Sequence, residues 1–132
     1  MTTAIICTAI LAALIFVLGS NVSRMRGATA KAGGSQMPTD PASPLLKAIR
    51  AHGNAAEYVP TLIVLFLLVG ARSPAVVAIP LIVGATLSRL AHAYAMLASK
   101  TLAAENAPRL AGAMGTYAFG LGLAIAAAAS LL

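Results

Sequence analysis

Long apolar runs alternate with short polar interruptions along this chain. Four runs cover roughly residues 4–22, 44–70, 74–99 and 107–131. Crossing the hydrocarbon core of a bilayer takes about 20 predominantly apolar residues in a helix, and each run reaches that length or comes close to it. The pattern predicts an all-α membrane protein, a four-transmembrane-helix bundle, with residues 1–132 as a single domain. The first run has no basic start of the kind a signal peptide carries, and no small-residue cleavage pattern clearly follows it. It reads as a retained helix, with Asn21 and Ser23 at its exit. Residues 24–43 are rich in Gly, Pro, Ser and Thr and read as a loop. Ser43-Pro44 and Ser73-Pro74 each look like an N-cap followed by proline at the first helical position. Asn106 can cap the fourth helix. Pro60 and Pro80 interrupt backbone hydrogen bonding inside the second and third helices and are expected to bend them. Gly112, Gly115, Ala118 and Gly122 offer small faces on the fourth helix for close packing.

Composition agrees with a membrane setting. Hydrophobic residues make up 60% of the chain and charged residues 9%, with a mean hydropathy of +0.91. The net charge of +6 could suggest nucleic acid, but the cations are scattered and mostly flank apolar runs. The partner this implies is the lipid bilayer, with no nucleic acid. Arg24, Arg26, Lys31, Lys47, Arg50, Arg89, Lys100 and Arg109 belong to one side of the membrane, and Arg72 to the other. The excess of Lys and Arg puts the first and third loops in the cytoplasm and both termini on the non-cytoplasmic side. Cys7 is the single cysteine, so no intrachain disulfide and no cysteine-based metal site can form; it reads as a small packing residue.

The candidate chemistry lies at the cytoplasmic end. On a helix advancing about 100° per residue, Arg50, Asn54 and Glu57 share a narrow stripe, with Lys47 at its edge and His52 on the opposite side. Charged groups in such segments normally face a bundle interior or a wet cavity. The plainer alternative makes Lys47 and Arg50 juxtamembrane cations and Glu57 a packing partner of Arg50. In the third helix, Arg89 and His92 are three apart and share a face, while Tyr94 lies well off it. His92 has two readings, a hydrogen-bonded core histidine or a site residue. Arg109 falls in the first turn of the fourth helix, where the helix dipole disfavours a cation; such a placement asks for a partner or a task. Arg50, Arg89 and Arg109 together outnumber the one carboxylate, Glu57, in this set. Excess cations in a low-dielectric site are unfavourable unless an anion enters. The ligand this implies bears more than one acidic group, bound by forked guanidinium contacts, and an amine for Glu57.

The stretch R-A-H-G-N-A-A-E-Y-V-P resembles the signature R-A-x-x-N-x-x-E-x-x-P of the MAPEG family, the membrane-associated proteins of eicosanoid and glutathione metabolism. Arg50, Ala51, Asn54, Glu57 and Pro60 match every defined position. The H-G-N-A-x-E-Y form resembles the small bacterial inner-membrane branch. R-L-A-H, from Arg89 to His92, resembles the family's third-helix segment, and Arg109 its fourth-helix arginine. The resemblance implies a homotrimer with glutathione as co-substrate between neighbouring subunits. It also implies that Arg50, Asn54 and Glu57 bind the tripeptide backbone, that Arg89 and His92 line the same cleft, and that Arg109 is catalytic and holds the thiolate. A free thiol has a pKa near about 8.5 and reacts as the thiolate; a neighbouring cation lowers that pKa, each unit being worth about 1.4 kcal/mol. A lipophilic second substrate would arrive from the bilayer, though the sequence does not identify it. Two departures stand out. Met96 occupies the position of a tyrosine one turn after the histidine, and Ala113 the position of a tyrosine one turn after the fourth-helix arginine. Prostaglandin or leukotriene synthesis is therefore not expected.

Three functions compete. The first is a membrane-bound glutathione-dependent transferase or peroxidase acting on lipophilic electrophiles or hydroperoxides. The second, favoured by the missing tyrosines, is a non-catalytic membrane scaffold with a degenerate site. The third is a small transporter subunit, since intramembrane charges also mark ion paths. Against the third, the polar residues stop at one end of the membrane.

Overall fold

The computed structural model describes residues 1–131. Four helices make up the fold: α1 (Thr2–Lys31), α2 (Pro44–Arg72), α3 (Ala75–Ala98) and α4 (Ala107–Ala129), with no strand among the described residues. Each is long and apolar enough to cross a membrane. The protein is a multi-pass, all-α membrane protein, and its helices pack as a bundle.

The first helix corrects the reading of residues 24–43. It does not stop near Val22 but runs 30 residues to Lys31, leaving a loop of only 32–43. Averaged over twenty residues, the segment looks like loop because its Gly, Pro and Ser are concentrated in its second half. Residues 24–31 contain Arg, Met, Ala and Lys, which favour helix. The stop comes at Gly33, the one described residue with a left-handed φ, 68°. There Gly34 N–H donates to the Thr29 carbonyl at 2.9 Å and Gly33 N–H to that of Ala30 at 3.0 Å. That paired pattern closes off a helix end, and glycine adopts the required φ without a β-carbon clash. At about 1.5 Å per residue α1 is about 45 Å long, against about 30 Å of hydrocarbon. Its last two turns, with Arg24 and Arg26, are largely exposed.

The caps behave differently at the three other starts. Ser43 caps α2, its hydroxyl accepting from Leu46 N–H at 3.4 Å. Asn106 caps α4 through Oδ1, which accepts from Arg109 N–H at 2.9 Å. Ser73 does not cap α3. It terminates α2 by donating its N–H to Val69 O, and Pro74 is the N-cap of α3 with no side-chain hydrogen bond. The turn is too short for both functions, because Ser73 is still spent on the preceding helix. α2 continues through Pro60 and α3 through Pro80 without a break.

The core is aliphatic. Leu11, Ala55, Val59, Phe66, Val69, Ile82 and Leu123 are fully buried. α3 and α4 approach so closely that a β-carbon on Gly112 would lie 2.7 Å from the backbone nitrogen of His92. Glycine is required there by space, and the contact locks the start of α4 against the segment of α3 that carries the candidate site.

Candidate functional site at one end of the bundle

Arg89 is the most surprising side chain in the structure, being only 1% exposed. Its Nη2 donates to Asn54 Oδ1 at 2.7 Å, and Nη1 lies 3.5 Å from Thr116 Oγ1. Its guanidinium carbon sits 5.2 Å from the centre of the Tyr58 ring, a cation–π contact. The Nε–H has no partner among the described residues. Thr116 is held in place by donating its hydroxyl to Gly112 O at 2.8 Å. A buried guanidinium is thus surrounded by an amide, a hydroxyl and an aromatic face, all neutral. This environment links α2, α3 and α4 across one charged group.

Asn54 therefore serves two neighbourhoods. One side contacts Arg89. The other lines an open cleft of about 240 Å³ with Ile49, Arg50, Gly53, Glu57 and Met96. Arg50 and Glu57 are both exposed on the protomer, so the carboxylate is not buried as its apolar sequence context suggests. Turning Asn54 inward to Arg89 while Arg50 and Glu57 face out follows from their spacing, since the three residues span a stripe of finite width.

His92 and Arg109 meet about one turn further along the same face of α3. His92 Nδ1 is 2.9 Å from the Arg109 carbonyl. A carbonyl can only accept, so Nδ1 carries the proton and donates. The Arg109 guanidinium donates from Nη1 to Leu102 O at 3.2 Å and from Nη2 to Ala104 O at 3.0 Å. These loop carbonyls are the partner that a cation in a first helical turn asks for. The same two residues line a cavity of about 390 Å³ with Glu105, Asn106, Ala107, Leu110 and Ala113. Within one protomer, then, the structure brings Asn54 to Arg89 and His92 to Arg109. Asn54 and the His92–Arg109 pair line separate clefts, and Arg89 is buried behind Asn54.

Met96 lines the first cleft and Ala113 the second. Both departures noted in the sequence thus lie where they matter. Lys47 is engaged elsewhere, its Nζ donating to Ser99 O at the end of α3 at 2.9 Å, and its cation complements the negative end of that helix.

From the sequence Tyr58, Tyr94 and Tyr117 are candidates to replace the two missing ring contacts, but the pairing of Tyr58 with Tyr117 and the places of Thr116 and Glu105 escape that reading. The hydroxyls of Tyr58 and Tyr117 lie 3.3 Å apart, their rings 5.9 Å between centres and tilted by 52°. Below them a groove of about 360 Å³ runs between α2 and α4, lined by Thr61, Leu62, Leu65, Gly120, Leu121 and Ala124. A pairing 59 positions apart leaves no local signal. Thr116 had one: it lies seven residues after Arg109, nearly two turns along α4. Among the described residues no cluster of His, Cys, Asp and Glu could hold a metal ion.

The model of the MAPEG family matches residues 4–129 of the chain. None of the curated proteins compared with the chain matches it.

Proposed function

Because the chain belongs to the MAPEG family, we propose that it is a membrane-bound glutathione-dependent transferase or peroxidase acting on lipophilic electrophiles or hydroperoxides. One observation carries this reading: every hydrogen bond made by the Arg89 and Arg109 guanidiniums ends on a neutral acceptor. With Arg50 exposed beside Glu57 in the neighbouring cleft, the end of the bundle has cationic capacity that the protein does not itself satisfy. Glutathione supplies two carboxylates and a thiolate for the cations and an ammonium for Glu57.

In this reading Arg50, Asn54 and Glu57 bind the tripeptide backbone, Arg89 holds Asn54 in position, and His92 orients the Arg109 turn. Arg109 is the catalytic cation. Its guanidinium has five N–H donors, so the two loop carbonyls leave donors for a thiolate. That the two clefts are separate within a protomer suits a homotrimer in which each site is completed by a neighbouring subunit. The apolar groove between α2 and α4 suits a second substrate arriving from the lipid. The excess of Lys and Arg at this end supports a cytoplasmic site with both termini opposite, and the likeness of H-G-N-A-x-E-Y to the small bacterial branch supports an inner membrane.

A thiolate absorbance near neutral pH, in ultraviolet difference spectra of detergent-purified protein with and without glutathione, is the expected result, and Arg109→Ala should abolish it. The second reading, a non-catalytic scaffold, rests on Met96 and Ala113 lining the clefts. It predicts no thiolate signal and no glutathione binding by calorimetry, and that pair of results would replace the first reading.

A further inference from the structure

Tyr58 and Tyr117 make one hydrogen bond between them, and neither hydroxyl has another partner among the described residues. Each phenol has one O–H to donate. If one donates to the other, the second hydroxyl keeps a proton with no acceptor. Tyr58 stands fourteen residues into α2, about 21 Å along the helix at about 1.5 Å per residue. At that depth a donor that faces lipid finds no water, and the deficit is costly.

Either hydroxyl can donate in this pair, and Arg89 favours one direction. The buried cation lies against the Tyr58 ring and draws electron density from it, which makes Tyr58 the better donor. Tyr58 then donates to Tyr117, and hydrogen bonds in a chain strengthen one another in a low dielectric. The free proton is left on Tyr117, which is 47% exposed, at the mouth of a groove whose remaining wall is almost wholly apolar. An apolar slot with a single reinforced donor at one end fits an acyl chain that ends in an acceptor oxygen.

We propose that this groove binds an acyl-chain compound with a conjugated carbonyl, and that Tyr117 donates its hydroxyl hydrogen bond to the carbonyl oxygen. The proposal rests on the glutathione reading and specifies its second substrate. Tyr58 adjoins Glu57 in sequence and is tied to Asn54 through Arg89, so the reactive end of such a chain adjoins the candidate tripeptide site. The thiolate sulphur adds to the β-carbon and forms the C–S bond. The C=C π electrons move to the carbonyl oxygen, where negative charge develops against the Tyr117 O–H. The proton lost from the thiol enters solvent, and one proton from solvent is taken up at the α-carbon. Nothing leaves and no oxidant is needed. A donor aimed at an oxygen that gains charge contributes most in a dry site.

The test uses the full chain in phosphatidylcholine vesicles with glutathione, comparing wild type with Tyr117→Phe, which keeps the ring. For trans-nonenal, kcat/KM should fall about tenfold or more. For iodooctane, which has no oxygen, it should be unchanged, showing that the variant is folded and competent. An equal fall for both acceptors, no fall for trans-nonenal, or a fall confined to an alkyl hydroperoxide would overturn the proposal. A binding arm needs no glutathione. A long-chain ketone carrying a diazirine, activated by light in the same vesicles, should label the Tyr58–Leu65 or Tyr117–Ala124 segments, with competition by undecanone but not undecane. Tyr117→Phe should erase that preference for the ketone. Labelling elsewhere, or equal competition by both, would overturn the proposal. A wild type that forms the thiolate but turns over neither acceptor would overturn the proposal, whereas one that shows no thiolate signal yet keeps ketone-selective labelling would sink the glutathione reading and leave the groove assignment standing.

Discussion

Arg50 and Asn54 are one turn apart on α2, yet their substitutions should do different things. Asn54 Oδ1 accepts from a guanidinium that is otherwise sealed from solvent. Asn54→Ala removes that acceptor and should destabilise the protein by about 1.5–3 kcal/mol, the range for hydrogen bonds to charged groups, read as a lower unfolding temperature in detergent. Arg50 is exposed and makes no side-chain hydrogen bond among the described residues. Arg50→Ala should leave the unfolding temperature unchanged and weaken glutathione binding by calorimetry. An Arg50→Ala variant that unfolds early would show that the residue is structural. The stripe of Arg50, Asn54 and Glu57 was legible in the sequence because i, i+4, i+7 spacing is a property of any helix. The burial of Arg89 was not, because it depends on Asn54, Tyr58 and Thr116 arriving from two other helices. Nor was the engagement of Arg109 with Leu102 and Ala104, which depends on how the intervening loop folds back.

Single residues set the limits of the helices. Gly33 ends α1 with a φ of 68°. Gly33→Ala puts a β-carbon into the left-handed region at about 1–2 kcal/mol. The cost falls on the exposed last turns rather than on the bundle. Amide exchange across 28–34 should speed up and trypsin should cut faster at Lys31, while the unfolding temperature holds. At the other extreme, Gly112 sits against the His92 backbone. Gly112→Ala must push α4 from α3, and overpacking of this kind costs about 1–3 kcal/mol. It should also stretch the 2.9 Å bond from His92 to Arg109 O, visible as a shifted His92 ring resonance in NMR. The four helices were readable from apolar runs alone. The exit of α1 was not, since composition averaged over residues 24–43 mixes a helical half with a loop half. The shared fate of Ser73 was not either: serine before proline is a start signal only when the preceding helix has already finished.

At the scale of the molecule, the bundle has a chemical end and an oily end. Arg50, Arg89, His92 and Arg109 lie towards the end formed by the loops at 32–43 and 99–106, and Arg72 and Ser73 mark the other. The charge asymmetry makes a topological prediction that the single native cysteine helps to test, since Cys7 is buried. Ser35→Cys should react with a membrane-impermeant maleimide only from the cytoplasmic face, and Ser73→Cys only from the opposite one. The reverse pattern would invert the proposed orientation and move the site to the other compartment.

α4 looks the least constrained of the four helices, a near-monotony of Ala, Gly and Leu with few buried positions. Its packing against α3 says otherwise. Added methyl groups at Gly112 and Gly115 would collide with His92 and Ser88, and Phe119 fills the space beside Gly84. Met114 and Ile125 meanwhile face outward and need only be miscible with lipid. A library of random substitutions should therefore return a tolerance map for α4 that runs opposite to ordinary expectation. Those two bulky positions would accept almost any apolar replacement, and Gly112 and Gly115 would accept none, so this simple-looking helix leaves drift the narrowest choice along its inner edge.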